Sequence, residues 1–96
     1  MHFLLTAYDG TDDQALERRM KVREAHLEKL KVLRRKGEFK FGGAILDEEG
    51  NMIGSAIVYE FPDRKALDRA LQDEPYYTGG VWKQIEIKPF RLANIG

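Results

Sequence analysis

The chain has no cysteine. That removes disulfide staples, thiolate nucleophiles and cysteine-bound metals together, so the fold must rest on a packed core or on a subunit interface. Histidine is almost as scarce: His2 and His26 are the only ones, and no paired ligand spacing accompanies them, which argues against a metal site. Charge of one sign is missing too. The 16 basic side chains balance 16 acidic ones, so no long-range field steers the chain toward nucleic acid or an anionic membrane. Apolar runs end after a few residues, far short of the roughly 20 that span a bilayer, and the N-terminus lacks a charged-then-apolar signal pattern. The expectation is a soluble cytoplasmic protein. Linkers, low-complexity segments and internal repeats are also absent, and 96 residues suit one small domain, 1–96, rather than two.

What is present is a clear order of elements. "HFLLTAY" reads as a strand, and "DGTDD" supplies the Gly and Asp residues that end it. Thr11 or Asp12 can cap the helix that follows, expected from about residue 12 to 36, with Arg34, Arg35 and Lys36 at its C-terminal end and Gly37 stopping it. "EFKFGGAIL" and "MIGSAIVYEF" form a hairpin across "DEEGN". "PDRKALDRAL" is a second helix, "EPYYTGG" a loop, and "VWKQIEIKPF" a last strand closed by Pro89. The βαββαβ order predicts an α+β, ferredoxin-like domain: a four-stranded antiparallel sheet with two helices on one face. In the third strand, one phase holds Met52, Ala56 and Val58 and the other Ile53, Ile57, Tyr59 and Phe61. Both faces are apolar, so the face without helices calls for cover, most simply a second subunit related by two-fold symmetry.

The first helix carries the chemistry. At about 100° per residue, Leu16, Met20, Leu27 and Leu30 share an arc that Ala15, Val22 and Leu33 extend. His26 falls inside it, Arg23 near its centre, and Arg19 between the two. Two cations and an imidazole are thus predicted to point toward the sheet. A core histidine bonded to a backbone carbonyl would also fit the pattern, as would a snorkelling arginine. A guanidinium does not deprotonate, however, so Arg23 in that arc requires a carboxylate, a ligand anion or a water-filled cavity. Asp73 and Glu74 in "LQDEPYYTGGVW" are the candidate acids. Either one, paired with His26, would fix the imidazole tautomer and stabilise its charged form for acid-base work.

Several segments, "VREAHLEKLKVLRRKGEFKFGGAI", "GSAIVYEF" and "DEPYYTGGVWKQIEIKPF", together resemble the YciI (YCII-related) family over nearly the whole chain. The resemblance implies a ferredoxin-like fold of the dimeric α/β-barrel type and a pocket centred on a histidine and an aspartate. It carries the histidine over to His26 and the helical arginine to Arg23. Where the family has Asp-Pro-(Tyr/Phe), this chain has Asp73-Glu74-Pro75-Tyr76, so either Glu74 or Asp73 takes the acid's place. The family includes a dehydrochlorinase acting on a chlorinated hydroxyquinol and domains near transcription regulators.

The expected function is proton transfer on a small phenolic or enolisable molecule, of lyase, isomerase or hydrolase type and without a cofactor. His26 would be base or acid, Glu74 or Asp73 its partner, and Arg23, with Arg19 nearby, the counter-charge for an oxyanion. Tyr8 and Tyr76 would be pocket walls or hydroxyl donors. The competing expectation is a homodimeric module of the same fold that binds a small ligand without turnover. An RNA-binding sheet is disfavoured by the lack of a basic and aromatic "K/R-G-F/Y" pattern. Acylphosphatase-like chemistry is disfavoured by the acidic "YDGTDDQ" where a phosphate cradle would be needed.

Overall fold

The computed structural model describes all 96 residues. Its elements are β1 (His2–Asp9), α1 (Ala15–Arg35), β2 (Phe39–Leu46), β3 (Met52–Glu60), α2 (Arg64–Leu71), the single turn α3 (Pro75–Thr78) and β4 (Trp82–Phe90). The strands form one antiparallel sheet in the order β2-β3-β1-β4. Helices pack on one face only, which is the ferredoxin-like arrangement expected from the order of elements. No helix is long and apolar enough to cross a membrane.

Period-two alternation decides which residues meet the helices. In β1 the inward phase is Phe3, Leu5, Ala7 and Asp9, all buried. Across the ladder it is matched by Tyr59, Ile57 and Ser55 of β3, the partners of Phe3, Leu5 and Ala7. The apolar members join Leu33, Leu67, Tyr76, Val81 and Trp82 in one core. At about 1.5–3 kcal/mol for each large apolar side chain removed from water, this core is what opposes the chain entropy.

The local chemistry departs from expectation in three places. α1 starts at Ala15 and has no side-chain cap. Asp12 does not cap it because Arg18 takes that carboxylate at 2.7 Å, which also holds the Asp12 carboxyl below its ordinary range. The segment expected as a loop contains α3, where Pro75 pre-sets the first turn and a Glu74 oxygen accepts the Tyr76 N–H at 3.0 Å. Pro89 does not close the last strand but pairs with Phe3 inside it. β4 is an edge strand, where a missing N–H need not break a ladder bond. The helix stop falls where expected: Gly37 adopts φ 76° and the next N–H, from Glu38, reaches back to the Leu33 carbonyl.

Candidate functional site

α1 lies over the sheet along an i, i+7, i+14 line, and that spacing keeps Arg19, His26 and Leu33 within about 40° of one another. These are its buried residues. Leu16, Met20 and Leu27, expected at the core, are exposed instead. The apolar arc of the helix is wider than the face the sheet can cover, and those three sit on its uncovered shoulder. Arg23 lies between shoulder and buried line and is half-buried.

His26 is held from three sides. Its Nδ1 lies 2.5 Å from Glu74 Oε1, and Glu74 is almost completely buried. Tyr76 stacks on the imidazole with centroids 3.8 Å apart and planes 13° apart. Trp82 meets the ring edge-on at 6.2 Å. Because Glu74 Oε1 is the cap of α3, one oxygen fixes both the Tyr76 backbone and the imidazole. The neighbouring Asp73 is exposed, with no side-chain partner.

Arg19 completes the wall. Its Nη1 donates to both Asp9 oxygens at 3.0 and 2.9 Å, and its Nη2 donates to Ser55 Oγ at 3.0 Å. The Arg19 Cζ lies 4.5 Å from the centre of the Tyr76 ring, within cation-π range. Burial pushes the Tyr76 phenol up from its ordinary value, and the charges of Arg19 and Arg23 pull the other way. Tyr59, fully buried nearby, is likewise pushed up, first by burial and then by the Glu74 charge.

These groups border a cavity of about 90 Å³ that Arg19, Arg23, His26, Ser55 and Tyr76 line from the helix and sheet sides, with Gly42 on the β2 side. His26 lines it, and with Nδ1 engaged its Nε2 is the ring nitrogen without a protein partner. Tyr8 lies elsewhere. It is exposed and lines a separate groove of about 840 Å³ beside the Gly10–Asp13 loop. The larger space is an open surface groove with no acid-base pair, so its size does not make it the reactive site.

The family whose sequence profile matches residues 1–91 is the YCII-related domain. The chain belongs to that family. Its curated relatives include Protein YciI of Escherichia coli, 30% identical over 97 residues and covering 95% of this chain and 97% of the relative. An uncharacterised protein of Haemophilus influenzae is 32% identical with the same coverage. Among solved structures, 5-chloro-2-hydroxyhydroquinone dehydrochlorinase (TftG) from Burkholderia phenoliruptrix, in complex with 2,5-dihydroxybenzoquinone, superposes with a TM-score of 0.82 at 20% identity, covering 97% of this chain and 96% of that one. An uncharacterised NIPSNAP domain protein from Burkholderia xenovorans follows at 0.56 and 13%. At such identities these structures establish the fold.

Three members of the site in this YCII-related domain are missing from the sequence expectation: Asp9, Ser55 and Trp82. Asp9 and Ser55 carry a readable signal, because each continues an inward strand phase with a polar residue. Trp82 carries none, since a shift in register between Tyr8 and Asp9 sets which way it faces.

Proposed function

We propose that this YCII-related protein is a small-molecule enzyme in which His26 moves a proton on a phenolic or enolisable metabolite, in a lyase, isomerase or hydrolase type of reaction. The observation that carries this reading is an imidazole held at Nδ1 by a buried carboxylate, with Nε2 unpartnered, in a residue that lines a cavity. A carboxylate accepting the Nδ1 hydrogen leaves the lone pair on Nε2, which can take a proton from a ligand oxygen or carbon. Glu74 then stabilises the imidazolium, and its bond to the Tyr76 N–H keeps it from turning away. Arg23 stands where it can offset the negative charge left on the ligand. The likeness to a dehydrochlorinase bound to a dihydroxybenzoquinone supports hydroxylated rings as the first substrates to try.

As partner we propose a second copy of the chain, covering the face of the sheet that the helices leave open. The test of the enzymatic reading is turnover of a panel of hydroxylated benzenes and enolisable ketones by wild type and His26→Ala. The variant is expected to lose about 10²–10⁴-fold in rate, the usual worth of a general base, with unchanged circular dichroism. Full activity in His26→Ala would sink the proposal, and saturable binding without product would leave a ligand-binding module.

A further inference from the structure

Ser55 Oγ has two lone pairs to receive with and one hydrogen to give. Both lone pairs are taken by groups that only donate, Arg19 Nη2 at 3.0 Å and Trp82 Nε1 at 3.1 Å. The hydroxyl hydrogen is therefore left over. No acceptor in the chain takes it, and Ser55 borders the His26 cavity. Arg19 Nε is buried and unpartnered. Arg23 makes no ion pair, although it too lines the cavity half-buried. Of the two buried carboxylates, Asp9 is taken by Arg19 and Glu74 holds His26 through Oε1, its Oε2 being buried without a partner; neither residue lines the space. Apart from His26 and the Tyr76 hydroxyl, the polar side chains lining it offer hydrogens and positive charge and no negative charge, and Leu27, Leu30 and Ile57 make up the apolar part of the wall.

We propose that this cavity takes a small organic oxyanion, with the Ser55 hydroxyl and the Arg23 guanidinium as its binding donors. The inference rests on the reading of the His26 cavity as a ligand site and specifies the charge of what enters it. A neutral guest would leave the Arg23 charge partly desolvated and unpaired, whereas an anionic oxygen gains charge-assisted hydrogen bonds there. At about 90 Å³, against the roughly 300 Å³ or more of pockets for drug-sized ligands, the space holds the anionic end of the ligand and leaves the remainder at the rim. The trapped orientation of the Ser55 hydroxyl makes it selective. It has no lone pair left for a ligand donor, so a neutral amide in the same place meets only part of the cradle.

The test is binding to the wild-type protein, followed by amide chemical shifts, of benzoate, 4-nitrophenolate and neutral benzamide at a pH where both acids are ionised. At least one anion is expected to bind ten times or more tighter than benzamide, with shifts at Ser55, Gly42 and Tyr76. Preference for benzoate identifies a carboxylate ligand, and preference for 4-nitrophenolate a phenolate or enolate. Arg23→Gln, at a half-exposed residue without an ion pair, keeps the fold and is expected to weaken the anion about tenfold. Ser55→Ala is expected to weaken the anion likewise and benzamide less, because a neutral carbonyl accepts the same hydrogen without charge assistance. Benzamide binding as tightly as the anions, no binding by either anion, or anion affinity unmoved in Arg23→Gln would each overturn the proposal. Anion binding without any turnover would count against the enzymatic reading alone, and His26-dependent turnover of neutral substrates only would count against this one alone.

Discussion

Asp9 and Arg19 are each about 3% exposed at the side chain, and both must give up hydration to lie there. The cost is several kcal/mol per ion. It is offset by two contacts from Nη1 to the carboxylate, one from Nη2 to Ser55, and the Tyr76 ring beneath the guanidinium. Removing one partner keeps the cost and discards the compensation. Asp9→Leu and Arg19→Met are each expected to lose about 3–5 kcal/mol, a large share of the roughly 5–15 kcal/mol that holds a small domain together. Replacing both, as Asp9→Leu with Arg19→Met, is expected to lose far less than the sum, because no uncompensated charge is left. Urea denaturation of the three variants measures this, and strictly additive losses would contradict it. Much of this site can be read from residue types. An arginine and a histidine seven apart on one helix face announce a polar cavity. What the sequence conceals is the carboxylate each uses, since Asp73 and Glu74 are chemically equivalent until the cap of α3 turns one inward and leaves the other in water.

At the scale of elements, order and type are legible because each strand and helix has its own period and terminators. Boundaries and facing are less so. The helix wheel finds an apolar arc on α1 but cannot say which part of it the sheet will cover, and the exposed shoulder of Leu16, Met20 and Leu27 is the result. β2 shows how a neighbouring element shapes the site in return. Gly42 pairs with Ile57 on the helix side of the sheet, and a Cβ there would meet the Ala56 carbonyl oxygen at 2.7 Å and the Ile57 Cα at 2.9 Å. Both are backbone atoms of a strand locked into the sheet, so neither yields easily. Gly43, one residue on, points to the opposite face and has nothing within 4 Å. Gly42→Ala is therefore expected to cost about 1–3 kcal/mol, the usual range for overpacking, and Gly43→Ala less than about 0.5 kcal/mol. Thermal melts of the two single variants check the contrast, and equal shifts would mean that β2 moves freely enough to absorb the methyl group.

At the scale of the molecule, the open face of the sheet is the unfinished part. Register places Leu4 of β1, Val58 and Ala56 of β3, and Phe41 and Ile45 of β2 together on that face, away from every helix. Phe41 is 55% exposed. β2 is an edge strand besides, so this apolar surface reaches the rim of the sheet. A standard stable interface buries about 800 Å² per partner, a modest fraction of the 6494 Å² the chain exposes alone, and the open face can supply it, apolar across β2, β3 and Leu4 and polar along β4, where Gln84, Glu86 and Lys88 face the same way. A two-fold axis is the simplest operator, since it lets one patch cover its own copy and leaves no open end for further association. Sedimentation equilibrium is then expected to give twice the 11.1 kDa of the chain. Phe41→Glu places two like charges in the interface at once, one from each copy, and is expected to return the mass to 11.1 kDa with helical circular dichroism intact, because the residue is outside the core. A wild-type chain that sediments as a monomer would show that the apolar face is tolerated in water. A Phe41→Glu variant that stays dimeric would move the interface off this face, with the shoulder of α1 as the next surface to probe.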